Sequence, residues 1–254
     1  MNTLYGISYS PWSEKARWAL AAAKVPFKEV AYLPMLGEPL LRARLWRSTP
    51  KGSPAKSQSS GRVSVPVLFT ADGPIPDSLE IARWAAAHSP AAVDLFPVAL
   101  AAEIERWNRV SEGMLDAGRA RTTALVAADP VAMLENLPPP LRKLGPISRA
   151  LGQTAVGFLK KKYSFGAESE AALTARIRKG MAELAAALDG GRTYLLGDRF
   201  THADIAMAVA LQVVRPPAHI RVGRRSLEHW TNAALAAEFP ALLQWRDLLL
   251  ERHH

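Results

Sequence analysis

Over the first ninety residues the spacing of apolar positions switches repeatedly between two periods. The run Thr3-Leu4-Tyr5-Gly6-Ile7-Ser8 has the short pattern of a half-buried strand and predicts one over residues 2–7. From Glu14 to Lys24, Ala16, Trp18, Ala19, Leu20 and Ala23 make a mostly apolar helical surface, which predicts a helix over 11–24. Phe27 to Tyr32 alternates and predicts a second strand. Leu36 to Trp46 is expected to be helical, and Val63 to Thr70 to be a third strand. Asp72-Gly73 signals a turn, and a fourth strand is squeezed between Pro74 and Pro76. Ser78 to His88 carries Leu79, Ile81, Ala82, Ala85 and Ala86 at helical spacing. Ser48 to Gly61, rich in Ser, Pro, Gly and Lys, reads as a loop. The order β-α-β-α-β-(β)-α describes a small α/β domain.

Ser89-Pro90 and Phe96-Pro97 bracket a linker, and beyond it the strand period disappears. Residues 99–126, 167–188, 203–214 and 233–251 all carry helical periodicity. Leu137-Pro138-Pro139-Pro140 is a break, and 141–166 is basic, Gly-containing and only partly amphipathic. The expected division is therefore an α/β domain at 1–88, a linker at 89–97 and an all-helical domain at 98–254.

Composition narrows the chemistry. With 254 residues, 49% hydrophobic and 22% charged, the chain has ample material for a core. The absence of cysteine excludes disulfides, thiolate metal sites and a cysteine nucleophile. The formal charge is +9. The first ninety residues hold 11 Lys and Arg against 6 Asp and Glu, and the remainder 21 against 17, so the excess is spread rather than gathered. Nothing resembles a zinc finger, an RNA-recognition signature or a basic zipper, so nucleic acid is not an expected partner. No apolar run approaches the ~18 residues of a membrane span and no targeting signal is visible, which leaves the cytoplasm as the expected location. The six His are scattered with no metal-binding spacing, so no metal is expected. His253-His254 are set aside as the possible start of a purification tag.

Three short motifs carry the candidate chemistry. Ser10-Pro11-Trp12-Ser13 sits where a strand ends and a helix begins. Pro11 occupies the first helical position, where its missing N–H costs nothing. A side chain at Ser10 meets unpaired helix N–H groups and the positive end of the helix dipole, which favour an anion such as a thiolate. With no sulfur in the active turn, that thiolate must belong to a ligand. Lys15 and Arg17, in the same helix, are expected to face solvent or to bind backbone and carboxylates. Val65-Pro66 places a proline in an apolar run; it is either a strand opened by Pro or a cis turn that exposes the Val65 main chain to an extended ligand. Asp77-Ser78 precedes a helix and serves either as a cap or as a holder of an α-amino-acid end. A fourth motif, Thr201 with Asp204 three residues on, has the form of a capping box and concerns folding.

The four motifs in this order resemble the cytosolic glutathione transferase superfamily, from Leu4 to about Phe239. Ser-Pro-Trp-Ser is similar to the Cys-Pro-x-Cys turn of a thioredoxin-like domain with oxygen in place of both sulfurs. The resemblance implies an α/β thioredoxin-like N-terminal domain plus an all-α C-terminal domain, in a homodimer. It implies that glutathione is the co-substrate and that its thiolate is conjugated to a small apolar electrophile, the chemistry of detoxification. Ser10 would bond the glutathione sulfur, with Ser13 as the alternative. Val65 and Pro66 would pair with the cysteinyl backbone, and Asp77 and Ser78 would hold the γ-glutamyl end. Lys51, Lys56 or Arg62 would meet the glycyl end. Where the superfamily more often has Glu, this chain has Asp77, one methylene shorter. A non-catalytic binding or scaffold protein of the same fold is the second expectation, since fold alone does not set function. A glutathione-dependent isomerase or dehalogenase is a third.

Overall fold

The computed structural model describes residues 1–33, 37–49, 63–90, 93–137, 142, 154, 157 and 168–254. These separate into two compact units, Met1–Ala101 with His253–His254, and Ala102–Arg252.

The first unit is built on a four-stranded sheet of order β2-β1-β3-β4. Its strands are β1 (Asn2–Gly6), β2 (Phe27–Ala31), β3 (Val67–Thr70) and β4 (Gly73–Pro76), with β1 parallel to β2 and the other pairs antiparallel. Among the described residues three helices accompany them: α1 (Pro11–Ala22), α2 (Glu38–Ser48) and α3 (Ser78–Ala87). Strand residues alternate between two cores, as the pleat requires. Leu4 and Leu68 pack with Ala16, Leu20, Ile81 and Ala85 of α1 and α3. Tyr5, Val67 and Phe69 pack on the opposite face with Leu41 and Leu45 of α2. The unit is thus a sheet between two helical layers, the thioredoxin-like arrangement. The third strand begins at Val67 rather than Val63. Pro66 has no N–H to give the β1 ladder, so pairing starts one residue later.

The second unit is helical among the described residues. A 3₁₀ turn at Val98–Leu100 leads into α4 (Ala101–Ala128), followed by α5 (Pro130–Glu135), α6 (Glu170–Ala187), α7 (His202–Ala210), α8 (Arg224–Trp230), α9 (Ala233–Glu238) and α10 (Pro240–His253). Every residue of α7 is buried. Helix α4 contributes Ile104, Trp107, Met114 and Leu115 to the core, so Trp107 and Met114 are packing residues. No helix among the described residues is long and apolar enough to cross a membrane.

Three helices differ from expectation. Helix α5 lies beyond the predicted 99–126 and is opened by the Asp129 cap with Pro130 at its first position. The helix predicted over 233–251 is divided at Phe239, because the residue before Pro240 is held out of the helical region. Helix α8 was not predicted, and its N-cap Gly223 offers no side chain. Its cap comes from α5 instead. Glu135 accepts the N–H groups of Arg225 at 3.1 Å and Ser226 at 2.8 Å, and the Ser226 hydroxyl at 2.9 Å. Burial opposes ionisation of Glu135, yet these bonds hold its carboxyl below the ordinary value. A Cβ at Gly223 would collide with that carboxylate, so glycine is needed for the close approach. Replacing Glu135 by Ala should cost about 1.5–3 kcal/mol, in the range of hydrogen bonds to a charged group. A thermal melt checks this, and an unchanged midpoint would show that α8 docks without the carboxylate.

Candidate active site

Register brings the three motifs to one end of the sheet. Tyr5 pairs with Val67 and Val67 with Pro76, so these residues form a row across β1, β3 and β4. Strand β3 runs opposite to its neighbours. The chain leaving β1 toward Ser10, entering β3 from Val65-Pro66 and leaving β4 into Asp77-Ser78 therefore lies beyond the same end of that row.

Ser10 is the N-cap of α1, with extended backbone at φ −78° and ψ 125°. It is half-buried, and its Oγ accepts the Ser13 N–H at a long 3.5 Å. Among the described residues its hydroxyl makes no other hydrogen bond, so its proton is uncommitted. Ser13 is different. It is fully buried, and its Oγ accepts the Ile7 N–H at 3.1 Å. Of the two serines, only Ser10 keeps exposed surface at the helix N-terminus. Beside it, burial pushes the Tyr9 phenol above its ordinary value, which keeps it protonated near neutral pH.

The Val65–Pro66 peptide is cis. Val65 precedes the paired part of β3, so its main chain is outside the β1 register. Pro66 is buried and Val65 half-buried. Asp77 is the N-cap of α3, and its Oδ1 accepts Leu79 N–H at 2.8 Å and Glu80 N–H at 3.4 Å. Its backbone is left-handed, with φ +74°. Such a conformation in a residue with a Cβ costs about 1–3 kcal/mol and clusters at ligand-binding positions. Asp77 is exposed and Ser78 is buried. The cap and ligand-anchor expectations for Asp77 are compatible, because the capping bonds engage one carboxylate oxygen.

Two expectations about α1 are resolved differently. Lys15 is fully enclosed rather than solvated, because α1 is buried around most of its circumference. Arg17 does bind backbone and carboxylates, reaching Ile7 and Glu29. Lys51, Lys56, Arg62 and the Lys160–Lys162 run lie outside the described residues.

Residues 9–88 match the glutathione S-transferase N-terminal domain, and residues 167–248 match the C-terminal domain. The chain belongs to the glutathione S-transferase superfamily. Solved members of the superfamily share its fold along nearly the whole length. A glutathione S-transferase from Methylobacillus flagellatus, crystallised with glutathione bound, is 18% identical with a TM-score of 0.58, over 98% of this chain and 95% of that one. One from Methylobacterium radiotolerans, in complex with glutathione sulfonate, is 23% identical with a TM-score of 0.53, over 98% and 89%. A third, from Ceriporiopsis subvermispora and in complex with glutathione, is 18% identical with a TM-score of 0.54, over 96% and 97%. No curated protein matches the chain.

Proposed function

We propose that this protein is a glutathione transferase that joins the glutathione thiolate to a small apolar electrophile, with Ser10 as the thiolate's hydrogen-bond donor. The observation that carries the reading is the uncommitted Ser10 hydroxyl at the N-terminus of α1. A thiol placed there meets a donor and the positive end of the helix dipole, both of which favour its ionised form. The thiol proton leaves to solvent as the thiolate forms, and the sulfur then attacks the electrophile and expels its leaving group. Ser10 donates a hydrogen bond throughout and need not ionise. Three relatives crystallised with glutathione or its sulfonate support glutathione as the ligand.

In this reading residues 1–88 hold glutathione, 89–97 connect, and 98–254 supply the surface for the electrophile. The chain passes from the first compact unit to the second at Ala101–Ala102, within the start of α4. Val65 and Pro66 face the cysteinyl backbone, Ser13 supports the turn, and Asp77 and Ser78 take the γ-glutamyl end. Cytoplasmic location and a homodimer belong to the same reading.

The anchor at Asp77 separates this reading from a non-catalytic one. Asn caps a helix about as well as Asp and tolerates left-handed backbone, so Asp77→Asn preserves the fold of the turn. It removes the charge that would pair with the ligand's amine, an interaction of about 1–3 kcal/mol. Titration calorimetry with glutathione should therefore show binding weakened about tenfold, with the melting midpoint of the free protein unmoved. If binding is untouched while melting falls, Asp77 is a cap, and the non-catalytic binding protein becomes the better reading.

A further inference from the structure

The geometry points to Arg17 as a positioning residue that holds the turn presenting Ser10, a role that rests on the glutathione reading above. The turn depends on Ile7, the first residue past β1, and three residues of α1 bind its peptide groups. The Ile7 carbonyl accepts the Ser10 N–H at 3.0 Å and the Arg17 guanidinium at 2.8 Å. The Ile7 N–H donates to Ser13 Oγ at 3.1 Å. Ser10, Ser13 and Arg17 recur at helical spacing, so the N-cap and one face of α1 close over the two peptide groups that flank the Ile7 Cα.

Arg17 is itself fixed from two directions. Its Nε donates to Glu29 of β2 at 2.9 Å, and its Nη1 to Glu14 of its own helix. Glu14 is buried, and its other oxygen meets His254 Nε2 at 2.8 Å. The planar guanidinium can hold two carboxylates and a carbonyl at once because its donors diverge in a rigid fork, which a lysine ammonium does not reproduce. The Arg17 side chain is 15% exposed and that of Glu14 3%, so this part of the network is shielded from water, while Glu29 holds Arg17 from the exposed side. Gly6 admits the helix to this distance. A Cβ there would stand 3.1 Å from Ser13 Oγ and 3.4 Å from a Glu29 oxygen, tighter than ordinary contact. The clamp thus ties β1, β2 and α1 together at the residue from which the Ser10 turn springs.

A hydroxyl that stabilises a thiolate must be held within a few tenths of an ångström of its productive place. Loosening Ile7 should misplace Ser10 without removing it. The experiment measures the pH at which enzyme-bound glutathione ionises, by ultraviolet thiolate absorbance, together with kcat and KM for an aryl halide. The proteins compared are wild type, Arg17→Gln, Arg17→Lys, Glu29→Gln and, as a surface control, Arg83→Gln. Arg17→Gln should raise the ionisation pH by about one unit and lower kcat about tenfold, with a much smaller change in KM for glutathione. Arg17→Lys keeps the charge but not the fork and should behave like Arg17→Gln. Glu29→Gln should shift both readings in the same direction by less, and it serves if Arg17→Gln does not fold. Arg83→Gln should match wild type. The role is overturned if Arg17→Gln or Glu29→Gln changes the melting midpoint but not the thiol, or if Arg17→Lys restores wild-type values. If wild type itself fails to lower the thiol's ionisation pH, the glutathione reading falls and takes this role with it, a result visible before any variant is compared.

Discussion

Ser10→Ala is expected to lower turnover of an aryl halide with glutathione by about 10–1000-fold, the range for losing one donor aimed at developing charge. Binding of glutathione should change little, because the peptide and γ-glutamyl contacts remain. The same substitution also removes an N-cap, which costs about 0.5–2 kcal/mol by itself. Ser10→Gly separates the two effects, since glycine caps within a few tenths of a kcal/mol of serine while lacking the hydroxyl. Both variants should lose turnover, whereas only the alanine variant should melt clearly earlier. Unimpaired turnover in the glycine variant would remove Ser10 from the chemistry. Ser13 would not be a simple substitute, because its oxygen is engaged with the Ile7 N–H inside the unit.

The largest effect on stability is expected at Asp204. This carboxylate is fully buried at the start of α7. One oxygen accepts the Leu195 N–H at 2.7 Å, and the other accepts the Thr201 N–H at 2.8 Å and the Thr201 hydroxyl at 3.0 Å. Asp204→Ala would strand two buried N–H groups at about 1–3 kcal/mol each, an expected loss of roughly 2–6 kcal/mol. In a chain of this size that is about 4–24 °C in melting midpoint. The site also carries a pH signature. Burial raises the Asp204 pKa from 3.8 to about 6, against the pull of its hydrogen bonds. The folded state therefore binds the proton more tightly than the unfolded chain does. The resulting stabilisation is complete below the unfolded value and is lost as pH rises through about 6. Asp204→Asn cannot titrate, so wild type should exceed it by a wider margin at pH ~5 than at pH ~7.5, by about 1.4 kcal/mol. A margin that stays constant across this range, read from melts of both proteins, would show that Asp204 is ionised in the fold throughout.

Much of the fold, with the caps at Ser10 and Asp77, was legible in the chain because the interactions that specify them are local. The strand and helix periods, the cap at Ser10 with Pro11 behind it, the cap at Asp77 and the Thr201–Asp204 box all operate within a few residues, and their chemistry is written at fixed offsets. Contacts between distant segments decided the remainder. The sequence places Ser10 and Ser13 in one motif, but only packing encloses Ser13 against the Ile7 N–H while Ser10, whose oxygen accepts just a long bond from Ser13, keeps exposed surface. It places three motifs tens of residues apart, and the Tyr5–Val67–Pro76 register gathers them at one end of the sheet. It gives α8 no cap of its own, and Glu135 supplies one from ninety residues away. Lys15 looks like a surface charge until packing encloses α1 on most sides. A local pattern records what a residue prefers. Which donor meets which acceptor across the fold is set by chain segments brought together in space, and that pairing decides which hydroxyl is enclosed and which keeps exposed surface.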